Sequence, residues 1–222
     1  MIEKNTVSAK SQVQRKHYIE CFDNGGKINV LFLGNSITRH EPKSEIGWEN
    51  DWGMAASKRE NDYVHVTVRL LEEKLGKVNY CVANCGEWEM NYFNEALLPE
   101  WEEARNFRAD ILIVRLGENI FNVREMFEEY PLAPYYAKFI DYFCSNPKAK
   151  VVVTGLFWKS LLIETAIESV VAEKGYAYAP LNDLGDNEEN MAIGKFWHNG
   201  VAMHPGDLGM QRIAERIVKV LE

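Results

Sequence analysis

The chain has 222 residues, of which 46% are hydrophobic and 26% charged. That balance belongs to a folded globular protein and not to a disordered, collagenous or coiled-coil chain. Twenty-five Lys and Arg stand against 33 Asp and Glu, for a net charge of −8, and no basic run is longer than Arg15-Lys16. Neither nucleic acid nor an anionic membrane surface is therefore an expected partner. No segment approaches the ~20 apolar residues that span a bilayer. The polar stretch Met1–Lys16 lacks a signal-like apolar core, so the expected location is cytoplasmic.

In chain order, residues 8–22 read as a helix that stops at Asn24-Gly25-Gly26. This predicts an N-terminal helical extension over 1–26, ahead of one globular domain over 27–222. Ile28 to Leu33 is a short apolar run ending at Gly34, the mark of a buried strand. Val64, Val68, Leu71 and Leu75 fall at helical spacing, and Gly76 stops that helix. Val78–Ala83 reads as a strand, Phe93–Arg105 as a helix, Ala109–Leu116 as a strand and Tyr135–Cys144 as a helix. Lys150–Gly155 is a strand, Leu161–Lys174 a helix and Tyr176–Leu181 a last strand, and a helix closes the chain from about Gly209 to Leu221. Strands alternating with helices imply crossover connections and a parallel sheet. The strands are continuous apolar runs, which suits a sheet covered on both faces. The expectation is a three-layer α/β/α sandwich with about five parallel strands.

Four cysteines are too few for a disulfide framework. Cys81 and Cys85 fall in or beside an apolar segment and read as reduced, buried small hydrophobes.

Ligands of such sheets bind at the carboxyl ends of the strands, which singles out a few short segments. Gly34-Asn35-Ser36-Ile37-Thr38 puts a serine hydroxyl at that edge. A serine needs a base to become a nucleophile, and of the five histidines His17, His40, His65, His198 and His204, the last two precede the final helix. His17 and His65 lie on predicted helices away from the strand ends. Acyl transfer also needs donors aimed at a developing oxyanion. The Ser36 N–H, the Gly86 N–H and the Asn119 amide are candidates. Taken singly, each of these residues reads better as a turn, cap or strand end. Together they occupy the ends of successive strands.

Four of these segments carry a family resemblance. Gly34-Asn35-Ser36-Ile37-Thr38 resembles the first block of the SGNH (GDSL-like) hydrolases, Gly-Asp-Ser-x-[Thr/Ser]. Gly86 resembles the glycine of the second block, Gly117-Glu118-Asn119 the third, and His204-Pro205 the last. The resemblance covers residues 28–221. It implies a flavodoxin-like sheet and a serine esterase that needs no cofactor or metal. In that carry-over Ser36 is the nucleophile, His204 the general base, and Ser36, Gly86 and Asn119 form the oxyanion hole. The absence of a Gly-x-Ser-x-Gly elbow separates the chain from the α/β-hydrolases.

Two positions depart from the pattern. Asn35 replaces the usual Asp of the first block, and Val201 stands where the family places the Asp that orients the histidine. Asp207, Asp183, Asn199 or a backbone carbonyl are the candidates to orient His204 in its place; Asp207 reads equally as a helix cap. The string His198, His204, Asp207 lacks the helical spacing of a zinc site, and no metal is expected. Trp48, Trp52, Trp88 and Trp197 fall in predicted strand-end loops. Trp88, two residues after Gly86, is the candidate substrate contact. The expected partner is a small-molecule ester, by family analogy an O-acetyl group on a carbohydrate. The sequence leaves the oligomeric state open. The competing readings are a catalytically inactive relative, suggested by Val201, and a phosphate- or flavin-binding protein of the same fold.

Overall fold

A computed structural model describes residues 18–121 and 124–222. The strands are β1 (Tyr18–Phe22), β2 (Ile28–Gly34), β3 (Val78–Asn84), β4 (Ile111–Arg115), β5 (Lys150–Thr154) and β6 (Ala177–Ala179). They form one sheet in the order β1-β3-β2-β4-β5-β6. Every pairing from β3 to β6 is parallel, and β1 runs antiparallel to β3. The five parallel strands thus have the doubly wound order in which the direction of winding reverses between β2 and β4.

Adjacent residues of a strand point to opposite faces, and here both faces are core. Leu31, Leu33, Leu112, Val114 and Val153 join one apolar cluster, with Phe139 and Ile140 of α5 (Leu132–Phe143) and Ile167 of α6 (Leu161–Lys174). Val30, Phe32, Ile113 and Val152 join the other, with Val64 and Leu71 of α1 (Tyr63–Leu75) and Ile213 and Ile217 of α8 (Asp207–Lys219). The Asp62 side chain caps α1 by accepting from the His65 N–H. The remaining helices are short: α2 (Gly86–Met90), α3 (Glu102–Asn106), α4 (Arg124–Glu129) and α7 (Asn199–Ala202).

The N-terminal helix expected over residues 8–22 is not what residues 18–22 form; its residues 8–17, His17 included, lie outside the described residues. Tyr18–Phe22 is an edge strand whose register sets Cys21 opposite Cys81. A disulfide joins the two, with their Cα atoms 4.0 Å apart. Cys81 is therefore not a reduced thiol, and β1 belongs to the sheet and not to a separate extension. Cys85 and Cys144 are free, and Cys85 is buried as expected. The stretch expected as a helix over Phe93–Arg105 divides into a 3₁₀ segment, Glu95–Trp101, which contains Pro99, and α3. Proline lacks the amide hydrogen that a continuous α-helix would use there. Among the described residues no helix is long and apolar enough to cross a membrane.

Candidate active site

The turn after β2 carries Ser36. Asn35 O accepts the Thr38 and Arg39 N–H groups at 2.9 and 3.0 Å, and Asn35 Oδ1 accepts the Ile37 N–H at 3.2 Å. These donors are spent within the turn, where a phosphate-cradling loop would direct them outward. Gly34 is required by the same turn, because a Cβ there would lie 1.7 Å from Thr38 Oγ1. Ser36 itself is half-buried.

His204 approaches from a segment 168 residues further on. Its Nε2 lies 2.9 Å from Ser36 Oγ. Its Nδ1 lies 2.6 Å from Gly200 O. A carbonyl only accepts, so Nδ1 carries the hydrogen and Nε2 presents its lone pair to the serine hydroxyl. Of the candidates to orient the histidine, the backbone carbonyl is the one in place. Asp183 is engaged by Arg216. Asp207 accepts from Ser57 N, Ser57 Oγ and Asn61 Nδ2 at 2.8, 2.7 and 2.9 Å. It makes no side-chain cap of α8 either, since the N-cap residue is Gly206. Asn199 begins α7, the helix that carries Gly200.

Val201 is fully buried in a third apolar cluster with Trp48, Met54, Ala55 and Ala192. A carboxylate at this position would point into hydrocarbon, which accounts for the missing acid. Burial, with lesser contributions from charges at His40, Arg115 and His198, pulls the His204 imidazole down to about 3. It is neutral at ordinary pH, the state a general base requires. Trp158, in the loop after β5, packs edge-to-face on the His204 ring at 5.1 Å. Trp158 also lines a cavity of about 180 Å³ with Gly117, Glu118, Leu156, Ser160 and Ile163.

The third-block segment follows β4. Gly117 has φ +145°, and a Cβ there would meet Leu156 Cδ2 at 2.6 Å. The half-buried Asn119 donates from Nδ2 to Glu89 Oε2 at 2.5 Å. Glu89 Oε1 accepts from the Gly117 N–H at 2.5 Å and from Asn35 Nδ2 at 3.0 Å. Asn35 Nδ2 donates as well to Glu118 Oε2 at 2.8 Å, and Asn35 Oδ1 accepts from Arg115 Nη1 at 2.9 Å. Arg115 pairs with Glu118, both buried side chains. Asn35 thus serves two carboxylates and one guanidinium at once. An Asp in its place would lose both donors and bring a third carboxylate beside Glu89 and Glu118, which explains the departure from the usual first block.

Two expected site residues stand elsewhere. The Gly86 N–H donates to Asn84 Oδ1 at 2.9 Å in a buried setting, so it is already occupied. Trp88 is 1% exposed and packs on Phe139, Tyr136 and Tyr92. Its place on α2 turns it under the sheet, away from any substrate. Trp48 is likewise fully buried, while Trp197 is 71% exposed. The residues that spacing did not mark are Glu89, Arg115, Glu118 and Trp158.

No protein-family model matches the chain, and no curated protein matches its sequence. Its shape does have counterparts: the fold is like that of solved structures assigned as GDSL-like lipases. In particular, the chain is similar to a protein assigned as a GDSL-like lipase from Parabacteroides merdae ATCC 43184. The TM-score is 0.56 and the identity 17%, over 88% of this chain and 95% of that one. A second assigned GDSL-like lipase, from Bacteroides uniformis ATCC 8492, gives 0.53 and 15% over 87% and 95%. A family two carbohydrate esterase from Cellvibrio japonicus gives 0.54 and 14% over 88% of this chain and 61% of that one. At such identities the likeness establishes the fold.

Proposed function

We propose that the chain is a serine esterase that hydrolyses small acyl esters through a Ser36–His204 dyad. The observation that carries this reading is the 2.9 Å contact between Ser36 Oγ and His204 Nε2 at the sheet's carboxyl edge. His204 Nε2 takes the hydroxyl proton as Oγ attacks the ester carbonyl carbon. The negative charge that develops on the carbonyl oxygen is met by the Ser36 N–H and by the second Asn119 amide hydrogen. The imidazolium then returns its proton to the departing alkoxide, leaving an acyl-serine. A water molecule, deprotonated by the same nitrogen, releases the acid.

The Gly200 carbonyl keeps the tautomer that a triad Asp would keep. It stabilises the imidazolium less than a carboxylate would, so the dyad trades rate for simplicity. The likeness to a carbohydrate esterase supports acetyl on a sugar as the first substrate class to try. The Cys21–Cys81 bridge weighs toward an oxidising compartment and against the expected cytoplasmic location.

The test is hydrolysis of p-nitrophenyl acetate and butyrate by the wild type, Ser36→Ala and His204→Ala, with each fold checked by circular dichroism. Turnover by the wild type and a fall of about 10³-fold or more in both folded variants is expected. A common background rate in all three would sink the reading in favour of an inactive relative.

A further inference from the structure

Glu89 is fully buried and lies in none of the four motif segments. Three nitrogen donors converge on its carboxylate: the Gly117 N–H and Asn119 Nδ2 at 2.5 Å each, and Asn35 Nδ2 at 3.0 Å. Glu89 sits on α2, after β3, while the donors come from the segments after β4 and β2. One side chain therefore ties together the ends of three adjacent strands. An Asn amide carries two hydrogens in one plane. Binding one of them to Glu89 sets the direction of the other.

We propose that Glu89 is a positioning residue for the oxyanion hole: it orients the Asn119 amide. The proposal rests on the esterase reading. The groups around the carboxylate are Glu118 and Arg115 from β4 and its following segment, the Cys85 thiol at the start of α2, and the Tyr136 hydroxyl on α5. Burial and the Glu118 charge push the carboxyl up to about 7, while the bonds from Asn119, Gly117 and Asn35 pull it down. All three bonded partners are donors, so the geometry suits the ionised form; a protonated Glu89 would have to turn a hydrogen toward one of them. Orientation of Asn119 should therefore be lost as Glu89 gains its proton.

The experiment compares wild type, Glu89→Gln, Asn119→Ala and the double variant on p-nitrophenyl acetate. Glu89→Gln should lower kcat by about 10- to 100-fold with KM within about threefold, a smaller loss than the 10²- to 10³-fold expected for deleting a donor outright. The double variant should be no slower than Asn119→Ala, because the effect of Glu89 runs through that amide. The wild-type rate should show an acid limb centred near 7, absent from Glu89→Gln. Losses that multiply in the double variant, or a limb that survives the substitution, would overturn the proposal.

A second measurement needs no turnover. The Asn119 side-chain amide signals, identified by their disappearance in Asn119→Ala, are followed by ¹⁵N–¹H correlation spectra of the wild type from pH 5 to 9. They should shift together through a single midpoint near that of the rate limb. Signals that do not move would overturn the positioning role. A wild type that hydrolyses no ester but shows the shift would instead fail the esterase reading and leave the Glu89–Asn119 coupling standing.

Discussion

His204 and Asn119 are held in place by opposite kinds of neighbour. The histidine has a backbone carbonyl on one nitrogen, the Trp158 indole packed edge-to-face with its ring, and an apolar cluster at Val201 on the short helix that precedes it. The asparagine is held by an ionisable side chain that belongs to a buried group of two carboxylates and one guanidinium. The proposed base needs only to stay neutral and correctly turned; burial does the first and the Gly200 carbonyl the second. The proposed oxyanion side needs fixed dipoles, and these are set by charges that must themselves be satisfied. A site can therefore dispense with one acid and acquire others, provided that each half keeps the physical property its role demands.

The contrast can be broken most severely at Arg115. Arg115→Met removes the buried guanidinium that pairs with Glu118 and bonds Asn35, and should cost about 3–5 kcal/mol, because it strands a buried carboxylate. Urea denaturation at pH 8 should show this loss. Asn35→Asp restores the usual first-block residue, yet it should destabilise the fold by about 2–4 kcal/mol, since two donors vanish and a third carboxylate enters the same group. The same denaturation series reads it, and a stabilised protein would contradict the account of Asn35. Val201→Asp restores the residue a triad would use. It should cost about 1–3 kcal/mol by placing a polar group in the cluster of Trp48, Met54 and Ala192, without raising kcat on p-nitrophenyl acetate. A gain in kcat would show that the site can accept a carboxylate after all.

The smallest expected effect is on pH dependence, because the two halves titrate in opposite senses. His204 is held near 3 against an ordinary 6.5, so the unfolded chain binds its proton first and stability falls as pH drops across that interval. Glu89 is raised to about 7 from 4.5, so the folded chain binds its proton first and stability falls as pH rises across that interval. Between about 4.5 and 6.5 the two slopes cancel. Unfolding free energies measured at pH 4 to 8 should show that Glu89→Gln removes the fall between about 6.5 and 7 and turns the level stretch between about 4.5 and 6.5 into a rise with pH.

The parallel strands were legible because each is an apolar run closed by a glycine or a polar turn, and the helices between them carry regular spacing. β1 was not, because an edge strand is only half covered and its partner residues lie 60 positions away. Ser36, His204 and Asn119 could be found from their blocks and order. The Gly200 carbonyl could not, since every residue has one and only the fold selects which is used. Glu89 carries no motif signal, Arg115 falls inside a strand run and Glu118 at the variable position of the third block, and charged residues are seldom fully buried unless paired. Trp88 misled for a related reason: proximity to Gly86 in the chain says nothing about which side of α2 faces the core.

The sheet ends in two ways. β6 has three residues, too few to offer much of a template for another strand. β3 is seven residues long, and its outer edge is covered by β1. A single sulfur–sulfur bond clips that cover in place. Where thiols keep the bond open, β1 is retained by its backbone pairing, the Phe22–Tyr80 stack and the Arg39–Tyr18 contact, and its departure would bare a long, apolar strand edge to other molecules. Resistance to aggregation in this protein is thus tied to the oxidation state of its surroundings, at the margin of the sheet farthest from β6.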